Sequence, residues 1–110
     1  MKQRNLDGYY FRVKRGDKYQ AVCFTDLTFD ETKAMLEDRS DEWLGSLLDG
    51  LVGVLTTIVE TANDTRLTLT TQNIIDGLVG LSLVDQILRI QRTIVNIADY
   101  YDIVVEHDIN

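Results

Sequence analysis

Residues 41–62 constrain the fold more than any other part of the chain. Trp43, Leu44, Leu47, Leu48, Leu51, Val52, Val54, Leu55, Ile58 and Val59 occupy most of a helical circumference. Glu42, Ser46, Asp49, Gly53, Thr56 and Glu60 step by four and three into one narrow polar stripe. A helix this apolar must be wrapped by other elements or sit in an interface. Ser40-Asp41-Glu42 places a hydroxyl and two carboxylates where a helix start leaves N–H groups unpaired and the dipole positive, so the helix is expected to begin there. The apolar-rich run 47–59 contains Asp49 and falls short of the roughly twenty residues a membrane span requires. No membrane partner is expected.

The covering elements are readable on either side. Ile87, Ile90, Ile94, Ile97 and Tyr101 step by three and four, the seam of a helical bundle, and Val84, Leu88, Val95 and Ala98 widen it. Asp85, Arg89, Arg92, Asn96 and Asp99 form the opposite polar face, with Asp85 and Arg89 spaced as an ion pair. The pattern spans 72–104, as one rod or as two pieces broken near Gly80-Leu81-Ser82. Asn63-Asp64-Thr65-Arg66 reads as a loop, with Thr70 or Thr71 capping the next helical stretch. Upstream, residues 9–24 alternate as a β-hairpin around a Gly16-Asp17 turn, Tyr9, Phe11 and Val13 on one face and Tyr10, Arg12 and Lys14 on the other. Thr28-Phe29-Asp30-Glu31 has capping-box spacing, so a short helix is expected over about 29–38. The expected fold is mainly α, α+β in detail: one domain over 1–110, with the hairpin packed on a bundle of three or four helices over 29–104 and a polar tail over 105–110.

Leu47-Leu48-Asp49-Gly50-Leu51-Val52-Gly53 and Ile74-Ile75-Asp76-Gly77-Leu78-Val79-Gly80 share five consecutive identities. Each copy carries Gly-x-x-Gly, and small residues on one helical face let two backbones approach closely. The two segments are therefore expected to cross, within one chain or between two. Crossing would also bring Asp49 and Asp76 together, a weak prospect for a cation site, because a divalent ion wants more oxygen ligands. Apolar residues exceed what a small helical hairpin hides. A homodimer is expected, with Trp43, Gly50, Leu51, Gly53, Leu55, Gly77, Gly80, Ile87, Ile94 and Tyr101 shared between core and self-association contacts.

Charge and composition exclude most chemistry. Residues 1–40 carry a net +1 and residues 41–110 a net −8, the latter with three basic residues only. An acidic chain of this kind lacks a broad phosphate-binding face. Nucleic acid is not the expected partner, and the small basic patch of Arg12, Lys14, Arg15 and Lys18 beside Tyr10 and Tyr19 is the one route to it. Conversely, the acidic region could mimic nucleic acid and block a DNA-binding protein. The lone Cys23 and the lone His107 cannot close a disulfide or a zinc site. Cys23 lies on an apolar strand and His107 in the polar tail, so neither is expected to serve as nucleophile or base. No phosphate loop or hydrolase motif is present. No enzyme activity, cofactor or metal is expected.

Phe11-Arg12-Val13-Lys14-Arg15-Gly16-Asp17-Lys18, then Val22-Cys23-Phe24-Thr25-Asp26-Leu27-Thr28 and Arg39-Ser40 with Glu42-Trp43-Leu44, resemble small uncharacterised proteins of Gram-positive bacterial mobile elements and prophages. The resemblance covers the first half of the chain and implies a bacterial, intracellular setting. The polar, aromatic opening of the sequence carries no apolar signal stretch, which agrees with a cytoplasmic location. The expected role is that of a small interaction or regulatory protein with an unidentified protein partner.

Overall fold

The aromatic and β-branched run at the start of the chain pairs as the alternation requires. In the computed structural model, which describes residues 6–103, β1 (Tyr10–Arg15) and β2 (Lys18–Cys23) form an antiparallel ribbon. Tyr10 lies opposite Cys23 and Arg15 opposite Lys18, with Gly16 at φ +64° beginning the two-residue turn. Phe11 and Val13 turn toward the protein, while Arg12 and Lys14 are exposed. Phe11 meets Phe24 edge-on at 5.8 Å and Trp43 at 6.3 Å, so one ring ties the ribbon to the helices.

A single 3-10 turn, Phe24–Asp26, leads to α1 (Phe29–Leu36). The capping box is complete: Thr28 Oγ1 accepts from the Glu31 N–H at 3.2 Å, and the Thr28 N–H donates to Glu31 Oε1 at 2.9 Å. α2 (Asp41–Ala62) begins at Ser40, whose hydroxyl accepts from the Trp43 N–H, and closes at Asn63 in the left-handed region. α4 (Leu83–Tyr101) begins at Ser82, whose hydroxyl accepts from the Asp85 N–H. The architecture is thus mainly α, an N-terminal hairpin on four helices.

One stretch departs from the sequence reading. The loop expected over residues 63–66 is only Asn63 and Asp64, Thr65 and Arg66 already being helical, and neither Thr70 nor Thr71 caps a helix. Asp64 Oδ1 accepts from the Arg66 N–H and caps α3 (Thr65–Asp76) six residues earlier than Thr70 would. The helical pattern over 72–104 is broken, α3 ending at Gly77 and the chain turning through Gly80 at φ +93° before α4. Residues 104–110, including the expected tail and His107, lie outside the described residues.

α2 packs along α4, and together they build the core. Leu44, Leu47, Leu51, Leu55 and Ile58 join Ile87, Ile90, Ile94 and Ile97 in one buried cluster with Val22, Phe24 and Leu36. By length and composition alone α2 is apolar enough to cross a membrane, a property it shares with the core helices of globular proteins. α3 leans on α2 and stands off from α4.

Candidate functional site

The glycines of the repeated heptapeptides bring no two backbones together within the chain. The first lies inside α2, whereas the second spans the end of α3 and the turn after it. Added Cβ atoms at Gly53 and Gly80 would meet nothing, and one at Gly77 would reach only carbonyls of its own helix. Gly50 faces the ring of Tyr9 instead of another glycine. Phase explains the difference: the second copy takes in only the last three residues of α3, and Gly77 then ends the helix, so identical residues occupy unlike environments.

The residues expected to serve self-association are largely internal. Leu51, Leu55, Ile87 and Ile94 have no exposed surface. Trp43 is half-buried against Phe11 with the Arg39 guanidinium 4.4 Å over its ring. Tyr101 is half-buried and donates to Asp64 Oδ2 at 2.7 Å, which holds the Asp64 carboxyl below and the tyrosine above their ordinary ranges. Gly53, Gly77 and Gly80 are exposed, but no apolar row joins them. Asp49 and Asp76 are exposed too, Asp76 accepting from Gln72 at 2.9 Å. Among the described residues no cluster of three metal-ligating side chains occurs.

The basic patch loses a member to the fold. Arg15 grips Glu31 through two bonds, Nε to Oε2 at 3.1 Å and Nη2 to Oε1 at 2.9 Å, and reaches the Asp26 carbonyl. Arg15 thereby fastens the end of the ribbon to α1, and Glu31, held first by that guanidinium and also by the Thr28 N–H, titrates at about 2. Arg12, Lys14 and Lys18 remain exposed, Arg12 over the ring of Tyr19 at 5.1 Å.

Cys23 is buried and bonded, as a structural thiol is. Its Sγ donates to Asp7 Oδ1 at 2.9 Å and accepts from the Asp7 N–H, while Asp7 Oδ2 accepts from the Thr25 N–H at 2.7 Å. Burial, then the Asp7 carboxylate, push the thiol up to about 12, so it carries no thiolate near neutral pH. Asp7 was not singled out by sequence, because a carboxylate that clamps a strand end sixteen residues away leaves no local pattern.

An open groove of about 990 Å³ runs along α4. It is lined on α4 from Asp85 to Asp99, about 21 Å of helix. Leu6, Leu27 and Phe29 contribute from the N-terminal half, Ile74 and Leu81 from α3 and the following turn. A second hollow of about 320 Å³ continues past Asn96, common to both, to Leu67, Thr70 and Tyr100. The groove exists because α3 keeps to α2, and because Gln91 fixes α4 against the N-terminal half, its Nε2 donating to the Phe24 carbonyl at 2.8 Å and to Thr32 Oγ1 at 3.0 Å.

No family model, curated protein or solved structure matches the chain.

The polar face of α4 is therefore a groove surface as well as a solvated one. Arg66, Arg89 and Arg92, the three basic residues of the acidic region 41–110, all line these two hollows. Asp85 and Arg89, spaced as an ion pair, do not form one: the one ion pair among the described residues is Arg15 with Glu31. The sequence signal for this cluster is the scarcity of basic residues after position 40, which spacing along any single helix does not convey.

Proposed function

We propose that the protein binds another protein through the groove along α4 and performs no chemistry of its own. The observation that carries this reading is an incompletely covered second stripe on α4. Val84, Leu88, Gln91, Val95 and Ala98 step by four and three beside the core seam. The fold buries Ala98 and bonds Gln91, but leaves Leu88 and Val95 half-exposed in a concavity with apolar neighbours. A concave apolar surface flanked by charged groups is what protein partners occupy. The buried, high-pKa Cys23 supports the absence of thiol chemistry.

The test is photo-crosslinking of the full chain from a benzophenone amino acid at Asn96, where the two hollows meet, against the same group at Asp49 on the polar stripe of α2. A discrete protein adduct from position 96 and none from position 49 is expected. No adduct from 96, or the same products from both, would overturn the reading.

Pairing of two copies is the second reading. Leu69, Val79 and Tyr100, at 65, 87 and 82% exposure, are the large apolar side chains the described residues leave most open, and they favour it. The buried row of α2 and α4 has no surface to offer a second copy.

A further inference from the structure

The charges around the groove are unequal in a way that specifies a partner, on the premise that the groove is the binding surface. Four carboxylates lie beside it, and each has a role inside the chain. Asp64 accepts from the Arg66 N–H and from Tyr101. Asp85 sits in the first turn of α4, where the helix dipole favours an anion. Asp26 and Asp99 each engage other groups of the chain. The three guanidiniums differ: Arg66, Arg89 and Arg92 are exposed, and among the described residues none forms an ion pair. The basic side chains of residues 41–110, which carry −8, are therefore confined to this surface, Arg66 there acting on the nearby Asp64 and Arg89 and Arg92 facing no carboxylate at ion-pair distance among the described residues.

The apolar part sets the shape of the ligand. Leu88 and Val95 are seven residues apart on one face of α4, the spacing at which a second helix seats its own apolar residues. The lined stretch of α4 can accommodate about four turns of such a helix. We infer that the groove receives an acidic amphipathic helix of a partner protein, with its apolar stripe on Leu88 and Val95 and its carboxylates on Arg89, Arg92 and Arg66. The net charge of −7 repels an acidic partner at long range. Preference for carboxylates must then arise at contact, where a guanidinium binds a carboxylate in a two-point, charge-assisted geometry. Long-range charge acts oppositely and would favour a basic helix, so the sign of the preference is diagnostic.

The probe is a labelled synthetic helix of about 18 residues, with leucine at three- and four-residue intervals and glutamate at the exposed positions, about 27 Å long. Its counterpart carries lysine at every glutamate. Binding to the full chain is followed by fluorescence anisotropy, and helix content of each variant by circular dichroism. The glutamate peptide should bind about tenfold more tightly than the lysine peptide, and Arg89→Glu with Arg92→Glu should reverse that order. Arg12→Glu, on the exposed ribbon face, should leave both affinities within about twofold. Equal affinity for the two peptides, tighter binding of the lysine peptide, or equal loss with Arg12→Glu would each overturn the inference. Light scattering that shows a dimer dissociated by the double substitution would overturn it in favour of a second copy. A crosslinked protein at Asn96 without preference for the acidic peptide leaves partner binding standing and removes only the acidic helix.

Discussion

Glu31 does two jobs with one carboxylate: it closes the capping box of α1 and receives Arg15 from the end of β1. Its pKa lies at about 2 in the fold against an ordinary 4.5. A depressed carboxylate stabilises the fold above its unfolded pKa, and that contribution is lost as pH falls through the folded one. Stability should therefore decline from about pH 4.5 toward pH 2, and Glu31→Gln should flatten that limb in urea titrations. At pH 7 the same substitution should cost about 1–2 kcal/mol, since it breaks a charge-assisted pair that is only partly screened. Cys23 acts in the other direction, its thiol raised from 9 to about 12. It should resist Ellman's reagent in the native protein and react fully in denaturant, and its contribution to stability should fade between about pH 9 and 12. The capping half of the Glu31 arrangement is legible from Thr28 to Glu31, three residues apart. The Arg15 half is not, because nothing local links residues sixteen apart across a ribbon and a turn.

The helices follow from periodicity wherever a full stripe and a cap coincide, as at Ser40 and along Ile87 to Tyr101. The start of α3 is obscured in the sequence because its apolar residues are few and its cap, Asp64, follows Asn63 directly, so two turn-forming residues look like the opening of a longer loop. The repeated heptapeptide shows the limit of sequence identity at this scale. Gly53 lies mid-helix with open space around it, so Gly53→Ala should stabilise by about 0.5–1 kcal/mol. Gly80, at the same place in the second copy, holds φ +93°, and Gly80→Ala should cost about 1–2 kcal/mol. Thermal denaturation of the two variants in parallel checks the opposite signs. Equal effects would show that the copies share one conformation after all.

At the scale of the molecule, the apolar rows of α2 and α4 close on each other inside the chain, while Leu69, Val79 and Tyr100 stay on its surface. α2 turns Leu44, Leu47, Leu51, Leu55 and Ile58 to the core and leaves Asp49, Gly53 and Thr56 outside. The hydrophobic pattern of the sequence thus marks the core, and the residues expected to be shared with a second copy, Leu51, Leu55, Ile87 and Ile94, belong to that core. The groove is not legible in the sequence because it is a gap between α4, the N-terminal half and the end of α3, and a gap has no residues of its own. With the buried row closed off, light scattering of the full chain at micromolar concentration should give a mass near 12.6 kDa. A mass near twice that would move Leu69, Val79 and Tyr100 into a dimer contact. The same spacing of α3 from α4 fixes how stability is distributed. Thr71 is the one buried side chain of α3, its hydroxyl has no hydrogen-bond partner among the described residues, and Leu67 and Ile75 are only partly buried against the core. A helix anchored by so little apolar area should detach while α2 and α4 remain paired. Its amides should exchange with deuterium through that sub-global opening, well ahead of those of Leu51 and Ile90, and Thr71→Val should slow them.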